Sequence, residues 1–216
     1  MAGLSTTGSI SLGIALVAGR KRVPRPAAGI TARVIRGCSP IVVTPYAPTM
    51  GNKDEARGHF RELRRKSHSS DRRAPSRTLL AAPELVNART IASFQSYGDE
   101  PDTFTLHSEL EEAGKLVLLP RMNSDKSLTW LAKGKEIDIS LLKKVDVVIV
   151  PALAIDFRGV RLGQGGGSFD RALPILSGWK VALIDSVCLS AEELPEETHD
   201  VRVDAAATEL GITRFN

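Results

Sequence analysis

Four glycines stand within five positions, at Gly163, Gly165, Gly166 and Gly167. With no Cβ, such a run lets backbone N–H groups converge into a concave nest and lets an anion approach without steric contact. Arg161, just ahead, is a forked cation that matches phosphate oxygens, and Asp170, just behind, is an oxygen ligand suited to Mg2+. Cation, amide donors and carboxylate in one short stretch point to phosphate binding. The competing reading is a flexible connector, but ordering four glycines carries an entropic penalty that a connector has no reason to incur. Asp170 also suits the first turn of a following helix, and the two roles can coexist.

Neither familiar nucleotide pattern fits. A Walker loop needs Gly-Lys before Ser or Thr, and Gly167-Ser168 has no lysine between them. The dinucleotide fingerprint begun at Gly163 would need a glycine where Ser168 stands.

The elements that must position this loop follow from the apolar pattern. Val145–Val150, apolar except for Asp146 at its entry, predicts a strand buried on both faces, as in a parallel sheet covered by helices. A helix is expected from Phe169 to Leu176, so its N-terminus would add donors to the loop. Lys53–Lys66 predicts a polar helix with Ala56, Phe60 and Leu63 as its narrow apolar stripe. Ser67–Arg77 reads as a polar loop, Leu79–Val86 as a short helix interrupted near Pro83, and Thr90–Phe94 as a first strand. Pro101 at a first helical position predicts a helix through Ala113, stopped by Gly114. Lys115–Pro120, an edge strand Leu128–Ala132, Lys180–Ile184, and short extended pieces at Val201–Val203 and Ala205–Thr208 complete the pattern. Strands alternating with helices indicate a three-layer α/β/α fold with a largely parallel sheet.

Composition narrows the function classes. The 216 residues are 42% apolar and 25% charged, as in ordinary globular proteins, and 5% aromatic, too few for a base-stacking platform. Cys38 and Cys188 have no metal-type spacing and fit a reducing, cytoplasmic compartment. Six basic residues and no acidic one lie in residues 1–49, so the formal +4 of the whole chain becomes −2 over residues 50–216. The basicity belongs to that leader, and neither nucleic-acid nor membrane binding is expected of the rest. The leader's apolar run, Ile10–Ala18, is too short to span a bilayer. The leader reads as a stretch ahead of a true start at Met50, a disordered tail, or an organelle transit peptide. Residues 50–216 read as a single domain.

The order Val150-Pro-Ala-Leu-Ala-Ile-Asp156, then Gly159, then Arg161-Leu-Gly-Gln-Gly-Gly-Gly and Asp170, resembles the signature of the 5-formyltetrahydrofolate cyclo-ligase (methenyltetrahydrofolate synthetase) family. Lys53 and Arg57 on the first helix, Glu100-Pro-Asp-Thr103 with Gly114-Lys115 and Leu119-Pro-Arg121, and Leu194-Pro195 with His199-Asp200 resemble its other blocks in the right order. The resemblance runs from about Lys53 to the C-terminus. It implies the cyclo-ligase (NagB/RpiA/CoA transferase-like) fold, a monomer or weak homodimer, and the ATP- and Mg2+-dependent conversion of 5-formyltetrahydrofolate to 5,10-methenyltetrahydrofolate, ADP and phosphate. In that reaction the formyl oxygen is phosphorylated before the ring closes, which demands charge neutralisation and alignment.

The resemblance also implies residue roles. Lys53, Arg57, Arg161, Leu162, Gly163, Gln164, Gly165, Gly166, Gly167, Ser168 and Phe169 would bind ATP, with Lys53 and Arg161 acting on the transferred phosphoryl group. Gln95, Glu100, Gly165 and Ser168 would contact the folate, and Asp170 and Asp200 the magnesium. Lys53 and Arg57 also read as part of a solvated basic face, and Asp200 as an exposed turn carboxylate. The four histidines, His59, His68, His107 and His199, read as surface residues, and Trp130 as lining core or pocket. Two features depart from the family pattern. Ser168 and Phe169 stand where two tyrosines are usual, and the stretch between Trp130 and Val145 is short. The nucleotide half of the pattern is complete and the folate half altered. That leaves a second reading, a non-catalytic ATP- or folate-binding member, and a third, a kinase-like enzyme acting on another acyl group.

Overall fold

The computed structural model describes residues 51–67 and 71–215, so the expectations for residues 1–49, Met50 and His68 lie outside the described residues. The first helix, α1 (Lys53–Lys66), has the predicted bounds. Its N-cap, Asn52, accepts from the Asp54 and Glu55 amides at 3.0 and 2.9 Å, filling two of the donors a helix start leaves open. Ala56 and Phe60 are buried as the stripe requires. Helices α2 (Ala74–Leu80) and α3 (Pro83–Asn87) follow, then strand β1 (Thr90–Ala92). The break at Pro83 is where the sequence puts it, but α2 begins inside the stretch read as a loop. Pro75 sits in its first turn, where a missing N–H carries no penalty.

Helix α4 (Phe104–Glu112) starts later than Pro101, because Asp102 supplies the cap by accepting from the Phe104 and Thr105 amides. Strands β2 (Leu116–Met122), β3 (Leu128–Ala132) and β4 (Lys135–Glu136) come next, and β4 pairs outside β3, which is therefore not the edge. A 3-10 turn at Ile139–Lys144 leads into β5 (Val147–Pro151). Asp146, the lone polar residue at that strand's entry, accepts from the Arg89 and Thr90 amides and so ties β5 to β1. Between β5 and the glycine-rich loop the chain forms β6 (Ala154–Asp156) and β7 (Arg161–Leu162), which the sequence reading did not separate. Helix α5 (Ser168–Ala172) is only five residues and passes into a 3-10 turn at Leu173–Ile175, where a continuous helix was expected. Strand β8 (Trp179–Leu183), a 3-10 turn at Ser186–Cys188, β9 (Leu189–Ser190), β10 (Ala205–Thr208) and β11 (Gly211–Arg214) complete the chain, while Val201–Val203 is not a strand.

The large sheet has the order β11-β10-β8-β5-β1-β2-β3-β4. Its five central strands are parallel, and the antiparallel pairs lie at its two ends. Alternation along β5 sends Val147 and Ile149 to one core, with Leu79, Leu85, Leu106 and Leu110 of α2, α3 and α4. Val148 and Val150 go to the other, with Leu142, Leu173 and Leu176. Both faces are thus covered, which gives the three layers. A second sheet, β7-β6-β9, packs against Ala56 and Phe60 of α1 in a third cluster with Leu153, Leu162 and Leu194. Among the described residues no helix is long and apolar enough to cross a membrane.

From β1 the chain moves outward to β2, and from β5 it moves the other way, to β8 and β10. The reversal falls between β1 and β5, and in open α/β sheets ligands bind in the crevice beyond the carboxyl ends of the strands at such a point. The segments leaving those two ends carry Gln95 and Glu100 on one side and the glycine-rich loop on the other.

His107 corrects the surface reading. It is buried on α4, with Nε2 2.8 Å from the Ser93 hydroxyl, and burial pushes its pKa down to about 4 against 6.5 for an exposed imidazole. Between those two values the unfolded chain holds a proton that the folded chain lacks, so stability falls as pH drops through that window. At pH 5 the loss from this group is about 2 kcal/mol. Urea unfolding at pH 7 and pH 5 measures it, and His107→Gln is expected to show a correspondingly smaller acid loss.

Candidate active site

Three segments meet around the glycine-rich loop: α1, the loop with the start of α5, and the turn carrying Asp200. From α1, Lys53 places Nζ 2.8 Å from Asp200 and 3.1 Å from Glu197. Burial works against the ammonium charge, but the two carboxylates outweigh it and hold Lys53 above its ordinary pKa. Asp200 is depressed in turn: burial raises it, and hydrogen bonds from Lys53 and from the Glu197 amide, at 2.7 Å, more than offset that. Its side chain is only 10% exposed, so it is more than a solvated turn carboxylate.

Arg57, one turn along α1, donates from Nε to the Gly163 carbonyl at 3.1 Å and pairs with Asp54 at 2.6 Å. Arg61, a further turn along, donates to the Gln164 carbonyl at 2.9 Å and to its side-chain oxygen at 3.4 Å. Both carbonyls are therefore turned toward α1. Sequence reading passed over Arg61, although its spacing from Lys53 and Arg57 puts all three on one helix face.

Arg161 is buried, 7% exposed. Its Nη1 donates to the Pro151 carbonyl at 2.9 Å and its Nη2 pairs with Asp170. Burial lowers its pKa, and the charges of both Asp170 and Asp200 act against that fall. One guanidinium thus senses both candidate metal carboxylates. A Cβ at position 163 would come within 3.0 Å of Arg161 Nη1, so the loop can lie against the arginine because Gly163 is there. Gly165, with φ +103°, adopts a backbone that other residues rarely enter. Because α5 is only five residues, the long helix expected to end at the loop is not there to add its donors.

On the other side, Glu100 is half-buried, accepts from the Tyr97 amide at 3.0 Å, and has its backbone oxygen held by Arg72. Burial raises its pKa, and the Tyr97 amide, the Arg64 and Arg72 charges and the Gln164 side chain pull the other way. Gln95 is exposed on the same loop. The Ser168 hydroxyl lies 3.9 Å from the Met122 sulfur. Phe169, by contrast, is partly buried and packs against the core, its ring edge-on to Trp130 at 6.2 Å, and Trp130 is itself a buried core residue. Leu162 is likewise core, so its side chain is not presented to a ligand. His199 is exposed beside Glu197, and His59 is half-buried, edge-on to Phe60.

Arg64 was also missed. It is 4% exposed, with Nη2 2.6 Å from the Ala152 carbonyl and 3.3 Å from that of Leu153, so the end of α1 is fastened to the end of β5. It falls on the period of the buried stripe, one turn beyond Phe60, but its charge sets it among the basic residues that end the helix.

Among the described residues no three His, Cys, Asp or Glu side chains are grouped to hold a metal alone. Asp170 and Asp200, around one arginine, are a donor set of the kind that binds Mg2+ together with phosphate oxygens.

The model of the 5-formyltetrahydrofolate cyclo-ligase family matches residues 49–209. The 5-formyltetrahydrofolate cyclo-ligase of Escherichia coli K12 is 32% identical over 151 residues, 60% of this chain and 83% of that protein. The protein of the same name from Mycolicibacterium smegmatis is 30% identical over 150 residues, 57% of this chain and 75% of its own length. In solved structures, the 5,10-methenyltetrahydrofolate synthetase of Aquifex aeolicus superposes with a TM-score of 0.65 at 24% identity, covering 76% of this chain and 93% of that one. The Mycoplasma pneumoniae 5,10-methenyltetrahydrofolate synthetase gives 0.61 at 19%, covering 73% and 98%. With the family model spanning the helix, the loop and the Asp200 turn together, the chain belongs to the 5-formyltetrahydrofolate cyclo-ligase family.

Proposed function

We propose that this chain converts 5-formyltetrahydrofolate and ATP to 5,10-methenyltetrahydrofolate, ADP and phosphate, and that residues 50–216 carry the activity. The observation that supports this most is the gathering of Lys53, Arg57, Arg161, Asp170 and Asp200 around one glycine-rich loop at the crevice between β1 and β5. Loop amides and the three cations hold the triphosphate, and Glu100 accepts paired N–H bonds from the pterin edge. The formyl oxygen attacks the γ-phosphorus as the bond to ADP breaks. The neighbouring folate nitrogen then attacks the formyl carbon, the carbon–oxygen bond breaks, and phosphate leaves with that oxygen and takes up the proton the nitrogen sheds. Asp170 and Asp200 would hold Mg2+, which neutralises charge on the phosphate oxygens. Lys53 and Arg161 are each paired with one of those carboxylates, so phosphate and metal would exchange two ion pairs for two others.

Formation of the methenyl chromophore by the purified full chain with ATP, Mg2+ and 5-formyltetrahydrofolate tests the reading, and the same assay on residues 50–216 tests the domain assignment. Nucleotide binding with no turnover would favour the non-catalytic reading instead. Glu100→Gln keeps the shape of the side chain but removes its charge. It is expected to raise the KM for the folate about tenfold, the loss of one charge-assisted pair, and to leave the KM for ATP within twofold. Steady-state kinetics in both substrates decides it.

A further inference from the structure

Lys53, Arg57, Arg61 and Arg64 are spaced four, four and three apart, so they form one row along α1. Each is bound to an acceptor of the protein. Lys53 holds Asp200 and Glu197, Arg57 the Gly163 carbonyl, and Arg61 the Gln164 carbonyl. Of the four, Arg64 alone is buried, at 4% exposed, which puts it out of reach of an arriving anion. Its Nη2 donates to the carbonyls of Ala152 and Leu153, at 2.6 and 3.3 Å, just beyond the carboxyl end of β5. Its Nε has no hydrogen-bond partner and lies 3.9 Å from Asp185, just beyond the end of β8. Strands β5 and β8 are neighbours in the sheet, so one guanidinium sits across the ends of both.

The acceptors of Arg64 and Arg57 belong to one hydrogen-bonded piece of chain. The Leu153 amide donates to the Leu162 carbonyl at 2.7 Å, and Gly163 follows directly. Pro151, one residue before Ala152, gives its carbonyl to Arg161 at 2.9 Å. The successive carbonyls of 151–153 are thus held by two buried arginines, one from β7 and one from α1. Ala56 and Phe60 also press α1 onto the small sheet, but apolar contact is non-directional and does not fix how the helix slides or turns. Phosphate oxygens are stronger acceptors than neutral carbonyls, so Lys53 and Arg57 give up their protein partners when they hold a triphosphate. Arg64 keeps its own. We propose that Arg64 is a positioning residue for nucleotide: it fixes the register of α1 against the end of β5 while the accessible cations of the same row turn to phosphate. This rests on the site assignment proposed above.

Titration calorimetry of the β,γ-imido analogue of ATP with Mg2+, and separately of 5-formyltetrahydrofolate, into the full chain and its variants reads the effect. Arg64→Ala is expected to weaken binding of the analogue about tenfold and of the folate less than about twofold. Arg64→Lys keeps the charge beside Asp185 but cannot bond both carbonyls in one plane, so it is expected to weaken the analogue only about threefold. Where Arg64→Ala does not fold, the lysine variant reads the same split. Lys66→Ala removes an exposed cation from the same turn and is expected to leave the analogue's affinity within about twofold. A residue that merely supports the fold acts independently of Arg57. In the Arg57→Ala background, Arg64→Ala is instead expected to cost less than about threefold, because one of the groups it positions is gone. Amide hydrogen exchange on the wild type needs no variant: protection at Leu63–Lys66 is expected to persist when the analogue binds. Loss of that protection, equal weakening of analogue and folate, an undiminished effect in the Arg57→Ala background, or unchanged analogue affinity in a folded Arg64 variant each overturns the proposal while leaving the site assignment standing. Failure of the wild type to bind the analogue overturns both.

Discussion

Replacing Arg161 with alanine is expected to lower kcat/KM for ATP about a thousandfold while changing folate affinity less than about threefold. The guanidinium is buried, shares its charge with Asp170, and lies in the field of Asp200 as well. Removing it strips a donor from the Pro151 carbonyl and leaves a carboxylate unpaired where the proposed γ-phosphoryl group must sit. Two effects therefore combine: loss of a preorganised phosphate donor, and new repulsion between phosphate and the two acids. Arg161→Lys restores charge without the fork, and is expected to recover only part of the loss, because one ammonium cannot bond both the Pro151 carbonyl and Asp170 in that plane. Separate urea unfolding curves distinguish catalysis from folding. Equal losses in the constants for ATP and folate, with stability intact, would remove Arg161 from the nucleotide half of the site.

The second large effect is on stability. Asp156, 1% exposed, accepts from the Arg158 amide at 2.9 Å, from Arg158 Nε and Nη2 at 2.9 and 2.7 Å, and from the Val160 and Leu194 amides, both at 3.0 Å. A carboxylate satisfies five donors only because both oxygens can accept in several directions. Asp156→Asn turns one oxygen into an amide nitrogen facing donors and leaves Arg158 without its buried counter-charge. The expected cost is about 3–5 kcal/mol in urea unfolding. The Leu194 bond links this carboxylate to the segment that ends at Asp200. Surviving folded protein should therefore also show a raised KM for ATP. A change below about 1 kcal/mol would mean that the arginine and the three amides find other partners.

Six of the eight strands of the large sheet could be read from the sequence because they are largely apolar and because Pro83 and Gly114 punctuate the helices between them, while the short strands β4 and β11 at its two edges could not. The small sheet could not. Its strands are two or three residues long, below the length at which a period is visible, and they form only because α1 covers them. His107 and Arg64 escaped for a related reason: a polar residue is kept inside by a partner distant in sequence, Ser93 in one case and the Ala152 carbonyl in the other. Within the loop, residue types pointed to Arg161 as a candidate phosphate ligand and to Asp170 as a candidate metal ligand. Their pairing with each other, nine positions apart, depends on how the chain turns between them. The substituted position 169 illustrates the converse. Its phenylalanine keeps the ring, partly buried against the core beside Trp130, and lacks the hydroxyl of the tyrosine usual at that position.

The ion pairs Lys53–Asp200, Arg57–Asp54 and Arg161–Asp170 have a consequence for how nucleotide reaches the loop. A cleft of unpaired cations would project a positive field and accelerate the arrival of any polyanion, at a rate falling steeply with ionic strength. Here these three charges are each paired with a carboxylate, and they cast less field beyond a Debye length than three unpaired cations would. Capture of a triphosphate then depends on the collision itself, and discrimination among anions is made at contact, by whether the arriving ligand can replace the carboxylates that the cations already hold.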